Sequence, residues 1–310
     1  RDYFTIEFTL PKNDIELPDF ETVGEWLEFF SQPGFLPRNK DDEEKYVSQL
    51  TNLAKFEDKD STFVIDVKRD QHRTYAKLIP RKFSQLVEDC LWRFGRRVVL
   101  MSATIYDHKA FCRTLGIPIE QTAFIRVESE FPIKYRPVLL KKEYQVDTSH
   151  ANWEDNFPDL VKTLAKIMDK IPNEKGLVHT PSYQASEALV AALRAHGYSR
   201  VVTHNKDTTQ DALTAFYASD KPLVLFSPSC QQGVDFNNDR ARFQVIVRVP
   251  YLNAGDKFVG TMMKEDFNWY NLQALRIFGQ QLGRINRHEK DYGVTILVDS
   301  RFDKFIASNK

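Results

Sequence analysis

The chain has 310 residues, 42% of them hydrophobic, and its 43 basic side chains balance 43 acidic ones. That length favours two domains, each able to bury its own core, and the zero formal charge gives no global attraction to nucleic acid. No apolar run approaches the roughly 18 residues of a membrane-spanning helix, and Cys90, Cys112 and Cys230 lack metal-ligand spacing, so they read as reduced, buried thiols of a cytosolic or nuclear protein.

Residues 1–60 read as a separate, mainly helical segment. Val23, Trp26, Leu27 and Phe30 fall on one helix face, Pro33-Gly34 interrupts the pattern, and residues 43–56 resume it. This segment is rich in acids, including Asp41-Asp42-Glu43-Glu44, whereas residues 68–97 are basic (Lys68, Arg69, Arg73, Lys77, Arg81, Lys82, Arg93, Arg96, Arg97). Such a run fits either a solvated face or a nucleic-acid track. Residues 62–67 and 74–78 predict two strands around a polar turn. Phe83, Leu86, Val87, Cys90 and Leu91 mark an amphipathic helix, followed by an apolar strand over 98–101 that runs into Ser102-Ala103-Thr104.

Beyond residue 150 the pattern alternates regularly. Phe157, Leu160, Val161, Leu164, Ile167 or Met168, and Ile171 form one helix face. Strands are predicted over 176–180, 200–203, 223–226, 243–249 and 294–298. Helices are predicted over 182–196, with Ser182 as N-cap, over 210–218, and through Phe267, Tyr270, Leu275 and Phe278. Alternating strands and helices predict an α/β fold with a doubly wound parallel sheet. In such sheets functional loops gather at the carboxyl ends of strands. Thr180–Ser182, residues 227–235 and residues 102–104 all fall at such ends.

The helix ending near Phe278 leads into Gln280-Gln281-Leu282-Gly283-Arg284-Ile285-Asn286-Arg287. Two arginines three apart on a continuing helical turn point the same way. Their guanidinium forks suit phosphate oxygens and stay charged at physiological pH, and Gly283 lets a backbone or a nucleotide approach closely. The same spacing also occurs on ordinary solvated helices. Upstream, the strand at 223–226 enters the polar loop Ser227-Pro228-Ser229-Cys230-Gln231-Gln232-Gly233-Val234-Asp235-Phe236.

Taken in order, residues 98–104, 223–236 and 280–287 resemble motifs III, V and VI of superfamily 2 helicases, in the XPD/DinG style. Gly176-Leu177-Val178-His179-Thr180-Pro181-Ser182-Tyr183 is similar to the family's motif IV strand with its Ser-Tyr, and Asp291-Tyr292-Gly293 and Asp299-Ser300-Arg301 are similar to its closing D-x-G and D-x-R. The resemblance covers roughly residues 61–303. It implies RecA-like domains, ATP with Mg²⁺ as cofactor, single-stranded DNA as partner and 5′→3′ movement. It also implies an intracellular setting, cytoplasmic and nucleoid-associated or nuclear. Arg287 would meet the γ-phosphate first and Arg284 second, with Gln280 touching the phosphate region or simply solvated. Gly233 and Asp235 would form the coupling loop, Asp235 holding a motif VI arginine or a ribose hydroxyl. Ser102 and Thr104 would couple the first domain to the second, if they are more than a routine strand-end cap. Thr180, Ser182 and Ser229 would hold DNA phosphates, while Tyr183 either stacks on a base or lies at the core edge. His179 and His204 read as structural.

The sequence departs from the family at Gln232, where a glutamate is usual. It contains neither G-x-x-x-x-G-K-[ST] nor D-E-x-H after a strand. In the resembling family both precede the equivalent of Arg1, as do the cysteines of the iron–sulfur cluster many members carry. The expected organisation is therefore the C-terminal part of a longer helicase. Residues 1–60 would end an inserted arch-like segment, 61–133 would be the tail of a first RecA-like domain, and 134–310 would form the second. On its own this chain would not hydrolyse ATP. The alternatives are a helicase-like nucleic-acid or protein binding module without ATPase activity, and an RNA helicase.

Overall fold

Alternation of apolar and polar residues in Ile6-Glu7-Phe8-Thr9-Leu10 begins the smaller of the two sheets among the described residues. In the computed structural model, β1 (Ile6–Leu10), β2 (Phe63–Arg69) and β3 (Thr74–Pro80) form an antiparallel sheet in the order β1-β3-β2. The structure describes residues 5–10, 17–18, 20, 22–37, 39–57, 63–69, 74–81, 87, 92–129, 131–230 and 233–309. Its two compact units are Arg1–Ile125 with Leu252–Leu272, and Arg126–Tyr251 with Gln273–Lys310.

In the first unit Ile6, Phe8, Leu10, Ala76 and Leu78 share one sheet face. They pack with Val23, Trp26 and Phe30 of α1 (Val23–Phe30) and with Tyr46 and Leu53 of α2 (Lys40–Ala54). A capping box starts α1: the Thr22 hydroxyl accepts from Glu25 N, and the Glu25 carboxylate accepts from Thr22 N. Asn39 caps α2, and the acid run supplies Asp41, Asp42 and Glu43 to its first turn, where negative charge suits the helix dipole. The opposite sheet face places Val64 and Ile79 against Phe258 of α7 (Lys257–Glu265), with Met262 and Trp269 beside them. Arg81 pairs with Glu265.

Two expectations fail here. Residues 1–60 are not separate from the strands that follow, because β1 zippers onto β3 with Ile6 opposite Leu78. One core therefore runs across the boundary expected at residue 60. The apolar run 98–101 is not a strand: Val99 is 83% and Met101 90% exposed. A buried parallel strand needs hydrogen-bonding neighbours on its edges, and among the described residues none pairs with 98–101. The helix expected through Phe83 and Leu91 lies outside the described residues apart from Val87, as does Cys90. α3 (His108–Leu115) follows, capped by Asp107 and closed by Gly116 at φ +65°.

The second unit is the doubly wound sheet the alternation predicts. β4 (Val138–Leu139), β5 (Gly176–His179), β6 (Val201–Thr203), β7 (Val224–Ser227), β8 (Phe243–Ile246) and β9 (Val294–Leu297) are all parallel, in the order β4-β9-β8-β5-β7-β6. Val178, Phe226 and Val245 pack with α4 (Trp153–Lys170) and α5 (Tyr183–Ala195). On the other face, Leu177 and Leu225 pack with α6 (Thr209–Ala218), and Ile246 and Leu297 with α8 (Phe267–Leu282) and α9 (Phe302–Ala307). Gly176 is required by close approach, since a Cβ there would lie 2.2 Å from the Phe243 ring.

Candidate functional site

The arginine motif does not continue the helix. α8 ends at Leu282, and Arg284 and Arg287 lie on the irregular segment beyond it. Tertiary contacts override the helical pattern. Ile285 is fully buried with Leu177, Leu213 and Phe236. Asn286 is buried too, its Nδ2 donating to the carbonyls of Tyr135 (3.3 Å) and Asp291 (3.2 Å). The carboxylate of Asp291, 0% exposed, accepts from Arg287 N at 3.1 Å, Asn238 N at 3.2 Å, Tyr292 N at 3.0 Å and Arg242 Nη1 at 3.0 Å. One buried anion thus ties the segment bearing Arg287 to the turn at 238–240.

Both arginines nevertheless line one cleft of about 540 Å³, together with Gly233, Val234, Asp235, Tyr217 and Arg240. Their roles in it differ. Arg284 is a brace: its Nε donates to Gln280 O and its Nη1 to Val234 O, both at 2.9 Å, while its own carbonyl accepts from Phe236 N. Burial lowers the Arg284 pKa and the nearby Arg287 charge adds to this, while Asp235 opposes both. Arg287 is more open, its side chain 36% exposed. It forms an ion pair with Asp235 at 2.5 Å, and its Nη1 donates to Gly283 O at 3.1 Å. Gly233 adopts φ +74°, the left-handed conformation that lets the loop turn into the cleft. Gln280 is seen in this geometry as a carbonyl partner of Arg284. Gln231 and Gln232 lie outside the described residues.

The residues expected to meet DNA gather at the carboxyl ends of β5 and β7, which pair with His179 opposite Ser227. Ser182 caps α5 by accepting from Ala185 N at 3.1 Å, and both Ser182 and Ser229 are exposed. Thr180 differs from them: its hydroxyl is buried and bonded to Ser186 Oγ at 2.5 Å. Tyr183 sets its ring edge-on to His204, with centroids 5.6 Å apart. His204 bonds Ser227 Oγ at 2.8 Å, and that oxygen accepts from the amides of Ser229 and Cys230, so the histidine shapes the loop. His179 bonds Gln244 Oε1 at 3.1 Å, and burial pushes its pKa down to about 4.

Ser102 and Thr104 belong to the first unit, where Ser102 Oγ accepts from Thr104 N at 3.2 Å in a local turn. Among the described residues no group of three or more His, Cys, Asp or Glu could hold a metal ion, and none of their helices is long and apolar enough to cross a membrane. Sequence reasoning missed Arg240 and Tyr217. No local spacing marks them, because the guanidinium of Arg240 reaches the Tyr217 ring, 4.6 Å away, only through the fold.

A six-stranded, all-parallel sheet with helices on both faces is the sheet typical of a RecA-like helicase domain. Residues 164–309 match the helicase C-terminal domain family. Curated relatives include the regulator of telomere elongation helicase 1 homologs of Drosophila melanogaster, 26% identical over 245 residues, and Drosophila sechellia, 27% identical over 245 residues. Each alignment covers 67% of this chain and only 24% and 25% of those proteins, respectively, so the chain spans about a quarter of their length. Among solved structures, S. tokodaii Xpd4 aligns with a TM-score of 0.52 at 20% identity, covering 99% of this chain and 61% of that one. An apo XPD structure aligns with a TM-score of 0.58 at 17% identity, covering 98% and 63%. These likenesses carry the fold. Residues 164–309 thus carry a helicase C-terminal domain, and the chain is similar to XPD-like superfamily 2 helicases.

Proposed function

We propose that this chain supplies the second motor domain of an ATP-dependent DNA helicase or translocase that moves 5′→3′ on single-stranded DNA. The observation that carries the reading is Arg287, a guanidinium at the mouth of a basic cleft, held by one exchangeable carboxylate and by a backbone carbonyl. Phosphoryl transfer needs positioning and charge stabilisation, and a cation that meets the γ-phosphate supplies both. Arg287 takes that role. Arg284, spent on Val234 O, keeps the Gly233–Asp235 loop in place, so its contribution is to hold the cleft's shape.

The cleft suits phosphate oxygens and does not suit Mg²⁺, because the carboxylate of Asp235 is engaged by Arg287. Mg²⁺ and an iron–sulfur cluster would be held by other parts of the whole protein. Ser182, Ser229 and the amides beside them offer sequence-blind contacts to a DNA backbone. Thr180 contributes by fixing Ser186 and the start of α5, and Tyr183 is the residue there able to stack on a base.

The test is ATP hydrolysis by the full-length protein, with no nucleic acid, with single-stranded DNA and with single-stranded RNA. The reading expects DNA-stimulated turnover that Arg287→Ala reduces by about 10³-fold or more, the scale of an arginine finger, while DNA binding persists. Normal turnover by Arg287→Ala refutes the assignment. Nucleic-acid binding without turnover points to a binding module, and stimulation by RNA alone to an RNA helicase.

A further inference from the structure

The cleft has a second cationic wall that the phosphate role of Arg287 does not use. The guanidinium of Arg240 lies over the Tyr217 ring, and both residues line the same cavity as Arg287. Tyr217 is braced in turn: its hydroxyl donates to Asp235 O at 3.1 Å, and its ring meets Phe236 and Phe216 edge-on. Arg240 takes no carboxylate among the described residues, since the neighbouring Asp239 pairs with Arg242 at 2.7 Å. The turn that carries Arg240 is also fixed. Asn238 sits at φ +54°, its amide donating to Asp291 and its side chain bonded to His288 at 2.9 Å. Asp291 accepts from Arg287 N as well, so one buried carboxylate sets the spacing between the two cationic walls.

A guanidinium flanked by an aromatic ring and free of a carboxylate partner offers a planar, weakly hydrated cationic surface that stacks on π systems. A cavity of about 540 Å³ falls in the size range of small-ligand sites. We propose that the Arg240–Tyr217 pair is the nucleobase subsite of this cleft, so that the cleft binds a nucleoside triphosphate from both ends. The base stacks on Arg240 while the phosphates face Arg287. This rests on the nucleotide reading above and goes further, because it assigns base recognition to residues of this domain.

The experiment is calorimetric titration of the full-length protein with ATP and, separately, with inorganic tripolyphosphate. The wild type should bind ATP about tenfold more tightly than tripolyphosphate, the scale of one stacked base. Arg240→Lys, which keeps the charge and removes the plane, should erase that preference and leave tripolyphosphate binding within about twofold. Tyr217→Leu should do the same by removing the ring that supports the guanidinium. Arg287→Ala should weaken both ligands in parallel. Retention of the ATP preference in both Arg240→Lys and Tyr217→Leu overturns the base subsite alone. Failure of the wild type to bind either ligand, or indifference of both to Arg287→Ala, overturns the nucleotide reading and the subsite with it.

Discussion

Asp291 ties the segment bearing Arg287 to the turn at 238–240. Replacing it with alanine removes a fully buried carboxylate from four donors: three backbone amides, of Arg287, Asn238 and Tyr292, and the guanidinium of Arg242. Each buried donor left without an acceptor costs roughly 1–3 kcal/mol. Breaking one side of a buried ion pair costs about 3–5 kcal/mol. The terms do not add, because Arg242 keeps Asp239 and the carbonyl of Tyr292. The expected loss for Asp291→Ala is therefore about 3–5 kcal/mol, a large share of the roughly 5–15 kcal/mol that holds a domain together. Asp291→Asn retains one acceptor oxygen and should lose about half as much. The assay is urea unfolding read by hydrogen exchange on peptides covering β8 and β9. A loss below about 1 kcal/mol for alanine would refute the view that this carboxylate organises the cleft.

The two motif arginines should separate in the same assay. Arg284→Ala should cost about 1–3 kcal/mol, because it strips a buried partner from Val234 O. Arg287→Ala should cost less than about 1 kcal/mol, as expected for a half-exposed ion pair. Equal losses would remove the distinction between brace and working residue. Gly176→Ala should destabilise by about 1–3 kcal/mol, since the added methyl overlaps the buried Phe243 ring; Phe243→Leu in the same chain should recover part of the loss, and no recovery would place the strain elsewhere. His179 gives a pH dependence of known sign. Its folded pKa of about 4 lies below the ordinary 6.5, so the unfolded chain binds the extra proton. It costs no stability above pH 6.5 and destabilises the fold increasingly as pH falls towards 4, by about 3 kcal/mol. Stability curves of wild type and His179→Gln should diverge across that window, and parallel curves would show that the imidazole is not buried neutral.

How much of this was legible depended on how local each cue was. β5 and β7 are short apolar runs ending in polar loops, and the predicted spans match them to within a residue. Gly233, Asp235, Arg284 and Arg287 come from the resemblance to helicase motifs V and VI, and all four line one cleft. The helix expected beneath the arginines fails because Ile285 and Asn286 are pulled inward and Asp291 captures the Arg287 amide, contacts that no helical periodicity encodes. β1 carries the alternation Ile6-Glu7-Phe8-Thr9-Leu10, but its partner β3 begins more than sixty residues later. α7 carries a local signal, the Asp256 cap followed by Phe258, Val259 and Met262, that lies outside the strand–helix alternation. The apolar run 98–101 has strand chemistry and lacks, among the described residues, a neighbour to pair with. The Arg240–Tyr217 contact joins a turn to a helix and leaves no mark in either segment.

The ion pair between Asp235 and Arg287 makes the cleft an ion exchanger. An incoming anion does not meet a bare guanidinium; it must displace a carboxylate already in contact. The net strength of binding is the difference between two contacts, so chloride or a single carboxylate, no better than Asp235, gains little by entering. On the nucleotide reading proposed above, a polyphosphate, with more charge and more oxygens per ligand, would displace Asp235 and still engage Arg287. The resting arginine stays oriented by its carboxylate partner, and a weakly held anion gains little by replacing it.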